Sequence, residues 1–95
     1  MPEELEEQLS IREQFEAIIL TEDKLLIRDF LNDQNISDVA DLVYEYPDYE
    51  SQIVANMSVH RAASVFKILE FPPQKRIIQT LPPNTIASLL NELPA

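Results

Sequence analysis

Carboxylates are the side chains of this sequence best able to do chemistry. Glu3, Glu4, Glu6 and Glu7 form one run, Asp38 and Asp41 stand close together, and Glu45 and Glu92 occupy equivalent outward positions in two similar phrases, VADLVYEYP and IASLLNELP. Such oxygen ligands suit a hard divalent cation. Mg²⁺ prefers octahedral oxygen coordination and keeps several waters, so one or two carboxylates from each of two surfaces suffice. The same acids also have structural uses: the run near the N-terminus complements a helix macrodipole, and Asp38 and Asp41 read as capping and surface residues. His60 is the only histidine. Beside Arg61 at the start of a helix it reads as a surface or half-buried side chain, because a triad also needs an activated nucleophile and an orienting acid around it.

Several chemistries are excluded by composition. The chain has no glycine, so glycine-rich phosphate loops and EF-hand calcium loops cannot be built, and turns needing a positive φ fall to Asn or are avoided. It has no cysteine, which removes disulfides, thiolate metal sites and cysteine nucleophiles. No catalytic constellation remains, and the reading is of a protein that is not an enzyme. The longest apolar run, Ala17 to Leu20, falls far short of the roughly 20 residues a membrane span needs. The acidic start MPEELEE is unlike a basic export signal.

Net charge is −10, and it is unevenly placed. Residues 1–50 hold 15 acids against 3 bases, a balance of −12, while residues 51–95 hold 2 acids against 4 bases, a balance of +2. A surface of this kind repels nucleic-acid phosphates and anionic lipid and attracts cations or a basic partner.

The elements that must carry these acids follow from a repeat. Val39, Leu42, Val43 and Tyr46 are matched by Ala62, Val65, Phe66 and Leu69, and then by Ile86, Leu89, Leu90 and Leu93, at offsets of 23 and 24 residues. Each set has the i, i+3, i+4, i+7 spacing that places four side chains on one buried helix stripe. Ala40, Ala63 and Ala87 match as well, small side chains that let neighbouring helices approach. Between the phrases, Ile53, Val54 and Met57 correspond to Ile77, Ile78 and Leu81. The unit is two short helices, opened by proline at 47, at 72 and 73, and at 82 and 83, with Ser58 serving as an N-cap at the remaining boundary. A unit this short cannot bury its stripe alone, so the pairs must stack.

Upstream, Leu5, Leu9, Ile11, Phe15, Ile18 and Ile19 predict a first helix over about residues 3 to 20. Thr21 reads as the N-cap of a second, carrying Leu25, Leu26, Ile27, Phe30 and Leu31 and ending near Asn32 to Asn35. The division is therefore residues 1–35 as acidic capping helices and 36–95 as helical repeats. The terminal LPA has the Leu-Pro opening of another unit, which predicts that the sequence is a piece of a longer protein.

The run from about Ile36 to Ala95 resembles the cytosolic N-terminal domain of the MgtE family of magnesium channels. That family's pattern is a leucine-proline opening, a charged turn and an apolar helix, repeated. Here RAASVFKIL (61–69), FPPQKRIIQTLPP (71–83) and IASLLNELP (86–94) meet it. The resemblance implies an all-α, right-handed superhelix that precedes a pair of CBS domains and a transmembrane pore, on the cytoplasmic face of the membrane of a homodimeric protein. It implies a regulatory Mg²⁺-sensing role: Mg²⁺ bridges acidic surfaces and closes the pore, and its loss lets them repel. The family often carries an acid just after the Ala-Ala pair, where this chain has Ser64. Glu70 and Glu92 are the nearby candidate metal residues. The competing reading is a protein-interaction scaffold with the same superhelix, like the middle region of the flagellar motor switch protein FliG.

Overall fold

The structure is a computed structural model and describes residues 10–93. Its first helix, α1, spans Ile11–Ile19 and starts from Ser10, whose hydroxyl accepts from Glu13 N–H while the Glu13 carboxylate accepts from Ser10 N–H. This capping box satisfies two orphan donors at once. It fixes Ser10 in an extended conformation, ψ 156°. The single helix expected over about 3 to 20 is thereby corrected within the described residues, because local hydrogen bonds end at Ser10 what apolar spacing would continue. Residues 3–9 lie outside the described part.

The turn that follows corrects a second expectation. Thr21 is not the cap of the next helix; its hydroxyl donates to the Ile18 carbonyl at 2.6 Å and accepts from Asp23 N–H at 3.1 Å. Asp23 is the cap, its carboxylate accepting from Leu25 and Leu26 N–H, and α2 spans Lys24–Asp33. Glu22 has φ 56°, so the left-handed turn in this glycine-free chain falls to a glutamate instead of an asparagine. The hydrogen bonds on either side of it, through Thr21 and Asp23, hold that conformation against a steric cost of roughly 1–2 kcal/mol.

The repeat begins with α3, Ile36–Glu45, followed by a 3₁₀ turn, Pro47–Tyr49, and α4, Glu50–Ala55. Then come α5, Val59–Ile68, α6, Phe71–Thr80, and α7, Pro83–Asn91. Prolines occupy the first turns of α6 and α7, where a missing N–H removes no intrahelical bond. Ser58 holds the N-cap position of α5 without a side-chain cap bond, and its N–H donates to Asn32 Oδ1. The fold is all-α, with no strand among the described residues.

Contacts arrange the repeat in two rows. Helix α3 packs on α5 and α5 on α7, while α4 packs on α6, and the molecule extends over 49 × 24 × 20 Å. This sequential packing of short helix pairs is compatible with a solenoid. One core runs through it, including Phe15, Leu31, Leu42, Ile53, Val65, Ile77 and Leu89. Phe15 anchors the N-terminal end of that core, its ring centroid 5.0 Å from Tyr46, 6.0 Å from Tyr49 and 6.4 Å from Phe30. Arg61 ties α5 to the end of α2, donating to the carbonyls of Leu31 and Gln34. A cation there complements the negative end of the helix dipole.

The stripe is buried in the first two phrases, apart from half-buried Tyr46, but only in part in the third. Leu89 is buried, Ile86 and Leu93 are half-buried, and Leu90 and Ala87 are exposed. The expectation of four buried side chains in IASLLNELP is corrected: the i+3 position faces back into the stack, whereas the i+4 position faces forward, where no described helix covers it.

Candidate functional site

The acids lie on the surface that the helices leave outside this core. Every described acid between residues 10 and 50 is exposed or half-buried except Glu50. Where α1 meets α3, a cleft of 380 Å³ is lined by Ser10, Arg12, Asp38, Asp41, Tyr44 and Glu45. Arg12 crosses to Glu45 Oε1 at 2.6 Å, and that hydrogen bond is the main reason its guanidinium pKa rises above the ordinary value. Beside it the Tyr46 hydroxyl donates to Glu16. This bond, reinforced by desolvation, raises the phenol pKa above its usual value.

Glu45 and Glu92, equivalent in the repeat, have equivalent partners. Glu45 is the last residue of α3 and Glu92 the C-cap of α7, and each reaches the second residue of an earlier helix, Glu45 to Arg12 and Glu92 to His60, whose Nδ1 lies 3.2 Å from Glu92 Oε1. The lone histidine is thus an exposed side chain on α5 within hydrogen-bonding distance of Glu92. Glu70 stands immediately before α6, exposed, and its backbone N–H donates to Tyr44 Oη at 2.7 Å. Glu70 and Glu92 therefore sit against different neighbours. Among the described residues no group of three or more His, Cys, Asp or Glu side chains is placed to hold a metal ion.

One acid that sequence reasoning missed is Glu50, with its side chain only 7% exposed. Arg76 grips both its oxygens, Nε to Oε1 at 2.6 Å and Nη2 to Oε2 at 3.2 Å, binding α4 to α6. This bond is the largest contribution raising the Arg76 pKa above its ordinary value. A two-point grip compensates a carboxylate for lost water far better than a single contact. A signal existed: one unit on, buried Glu50 aligns with Gln74, a half-buried polar side chain that donates to the Phe66 carbonyl.

Beyond this geometry, residues 34–95 match the family model of the MgtE intracellular N domain. The chain belongs to the MgtE family. Its repeat, α3 to α7, lies wholly inside the matched span. No curated protein and no solved structure gives a significant match. An MgtE N domain is part of magnesium transporters, which carry further domains and are not enzymes. Among the described residues, no helix is long and apolar enough to cross a membrane.

Proposed function

We propose that this MgtE N domain is a regulatory Mg²⁺ sensor on the cytoplasmic face of a magnesium transporter. In this reading Mg²⁺ bridges its acidic surface to CBS domains of the same polypeptide, in a homodimeric protein, and the bridged state closes the transmembrane pore. The observation that carries the proposal is the match over 34–95, supported by the exposure of the acids around α1 and α3. A hydrated dication shared between two surfaces needs only one or two carboxylates from each. Glu92, paired with His60, and Glu70, beside Tyr44, remain the candidate ligands. When Mg²⁺ is withdrawn, carboxylates on facing surfaces repel across a distance comparable to the Debye length, about 8 Å at physiological salt.

Titrating Mg²⁺ against a protein that joins this domain to a CBS pair tests the proposal. Compaction by small-angle scattering and a rise in melting temperature are expected, since an ion that binds only the closed form stabilises it by mass action. Neither change, at Mg²⁺ well above the millimolar range, would overturn it. Glu92→Gln and Glu70→Gln should each shift the titration midpoint to higher Mg²⁺.

A further inference from the structure

We propose that the cleft between the end of α4 and the start of α7 is a guanidinium site, filled by an arginine side chain of a partner protein. The inference does not rest on the Mg²⁺ reading. It comes from two equivalent junctions of the repeat, one closed by an arginine and one not. At the first, Arg61 on the first turn of α5 lies against the end of α2 and donates through Nη2 to the carbonyls of Leu31 and Gln34. Its Nε is buried there, so the side chain occupies the junction. At the second junction the acceptors recur. Leu31 and Gln34 correspond, 23 residues on, to Val54 and Met57. The same turn closes both helix ends, Gln34 N–H donating to the Leu31 carbonyl at 3.4 Å and Met57 N–H to the Val54 carbonyl at 3.3 Å. The arginine does not recur: 24 residues after Arg61 stands Thr85. A cleft of 240 Å³ is left, lined among others by Val54, Met57, Val59, Thr85, Ser88 and Leu89. Its walls are adjoining units, drawn from residues 54–62 and 81–89, so it is a gap between described repeats and not an uncovered end.

The chemistry of the cleft selects the occupant. Carbonyl oxygens at a helix end accept from cations, and the apolar walls from Val54, Met57 and Leu89 suit the methylene stem of a long side chain. Glu92 lies one turn after Ser88 on α7, and its carboxylate is 3.2 Å from the ring of His60, the neighbour of Val59. A negative charge therefore stands beside the cleft. A guanidinium fits better than an ammonium, because its planar fork reaches two carbonyls at once, as Arg61 does. The other arginines of the chain are placed elsewhere, Arg12 on Glu45, Arg76 on Glu50 and Arg28 on α2. A net charge of −10 draws a basic partner to supply one.

Titrating the peptide acetyl-Ala-Arg-Ala-amide into the isotope-labelled 95-residue chain in Mg²⁺-free buffer, followed by NMR, tests this. Saturating shifts are expected at the amides of Val59, Thr85 and Ser88, with a Kd on the order of millimolar for a single side chain, and none when citrulline replaces the arginine. Thr85→Arg supplies the missing side chain from within, and should abolish the peptide's shifts and raise the melting temperature. Ser88→Arg, at an exposed position of the same lining, adds a like charge and should weaken the peptide as well. Glu92→Gln should weaken it about two- to fivefold. The absence of saturable shifts at peptide well above the millimolar range overturns the proposal. So do equal shifts from the citrulline peptide, or peptide binding left unchanged by both Thr85→Arg and Ser88→Arg.

Discussion

Two regions of this molecule begin their helices in different ways. In residues 10–35, α1 and α2 start from side-chain caps, Ser10 with Glu13 and Asp23 with two backbone N–H groups. From Ile36 onward, no helix of the repeat has a side-chain cap hydrogen bond; α6 and α7 open on proline, and α3 and α5 open on Asn35 and Ser58, whose side chains make no cap bond. The first region is encoded locally. The second depends on neighbours, as expected of short units that cannot bury their stripes alone. The repeat's stability should therefore follow packing position, and the capped region's should follow single hydrogen bonds.

The largest expected effect sharpens the first half of that contrast inside one helix. Leu89 is 2% exposed and its neighbour Leu90 is 45% exposed. Leu89→Ala should cost about 2–5 kcal/mol of unfolding free energy, while Leu90→Ala should stay within about 1 kcal/mol. Urea denaturation measures both. Equal losses would mean that the forward and backward faces are not distinguished as described.

Next in size is a cap. Asp23→Ala removes the acceptor for Leu25 and Leu26 N–H, and should cost about 1 kcal/mol. Asn35→Ala, at the start of a helix whose N-cap side chain makes no cap bond, should cost less than half of that. The same denaturation experiment decides. A reversal of the order would break the contrast between local and neighbour-dependent helix starts.

These two regions also differ in how far they are legible from sequence. The repeat is readable because i, i+3, i+4, i+7 spacing and proline boundaries are direct consequences of helix geometry and of proline's missing donor. Its exposed third stripe is not readable residue by residue, because Leu89 and Leu90 differ only in which neighbour they face. In the capped region two signals compete: apolar spacing runs from Leu5 through Ile19, while Ser10-x-x-Glu13 marks a start, and the hydrogen bonds prevail. Thr21 and Asp23 are both good caps by type, and only the φ of 56° at Glu22 decides which one faces the helix. The candidate site is the least legible. Glu50 and Arg76 are 26 residues apart on different helices, and Arg61 donates through Nη2 to backbone carbonyls, which leave no trace in side-chain type. Glu70 and Glu92 look alike in sequence, yet one stands beside Tyr44 and the other beside His60.

Tyr46 joins the regions, since its ring packs on Phe15 and its hydroxyl donates to Glu16. Folding favours the neutral phenol, so its pKa is raised above the ordinary 10.0. The sign follows: the contribution is complete below the unfolded value and is lost as pH rises through the higher folded one. Unfolding free energy measured between pH 9 and pH 11, on the order of the tyrosine range, should fall, and Tyr46→Phe should flatten that slope. An unchanged slope in the variant would place the pH dependence elsewhere and detach this bond from the junction.

The smallest effect concerns the left-handed turn, and it tests whether the capped region is as locally determined as its hydrogen bonds suggest. Glu22 holds φ 56° between Thr21, which accepts from Asp23 N–H, and Asp23, which caps α2. Asn tolerates this conformation better than Glu because its short side chain bonds locally. Glu22→Asn should therefore raise stability by a few tenths of a kcal/mol, roughly the propensity difference, with the caps unchanged. Glu22→Gly should gain less, because the relief of steric strain is offset by the larger entropy of the unfolded chain. If both substitutions destabilise, the glutamate side chain makes a stabilising contribution larger than the backbone strain it carries. The turn would then belong with the neighbour-dependent repeat, not with the locally encoded region.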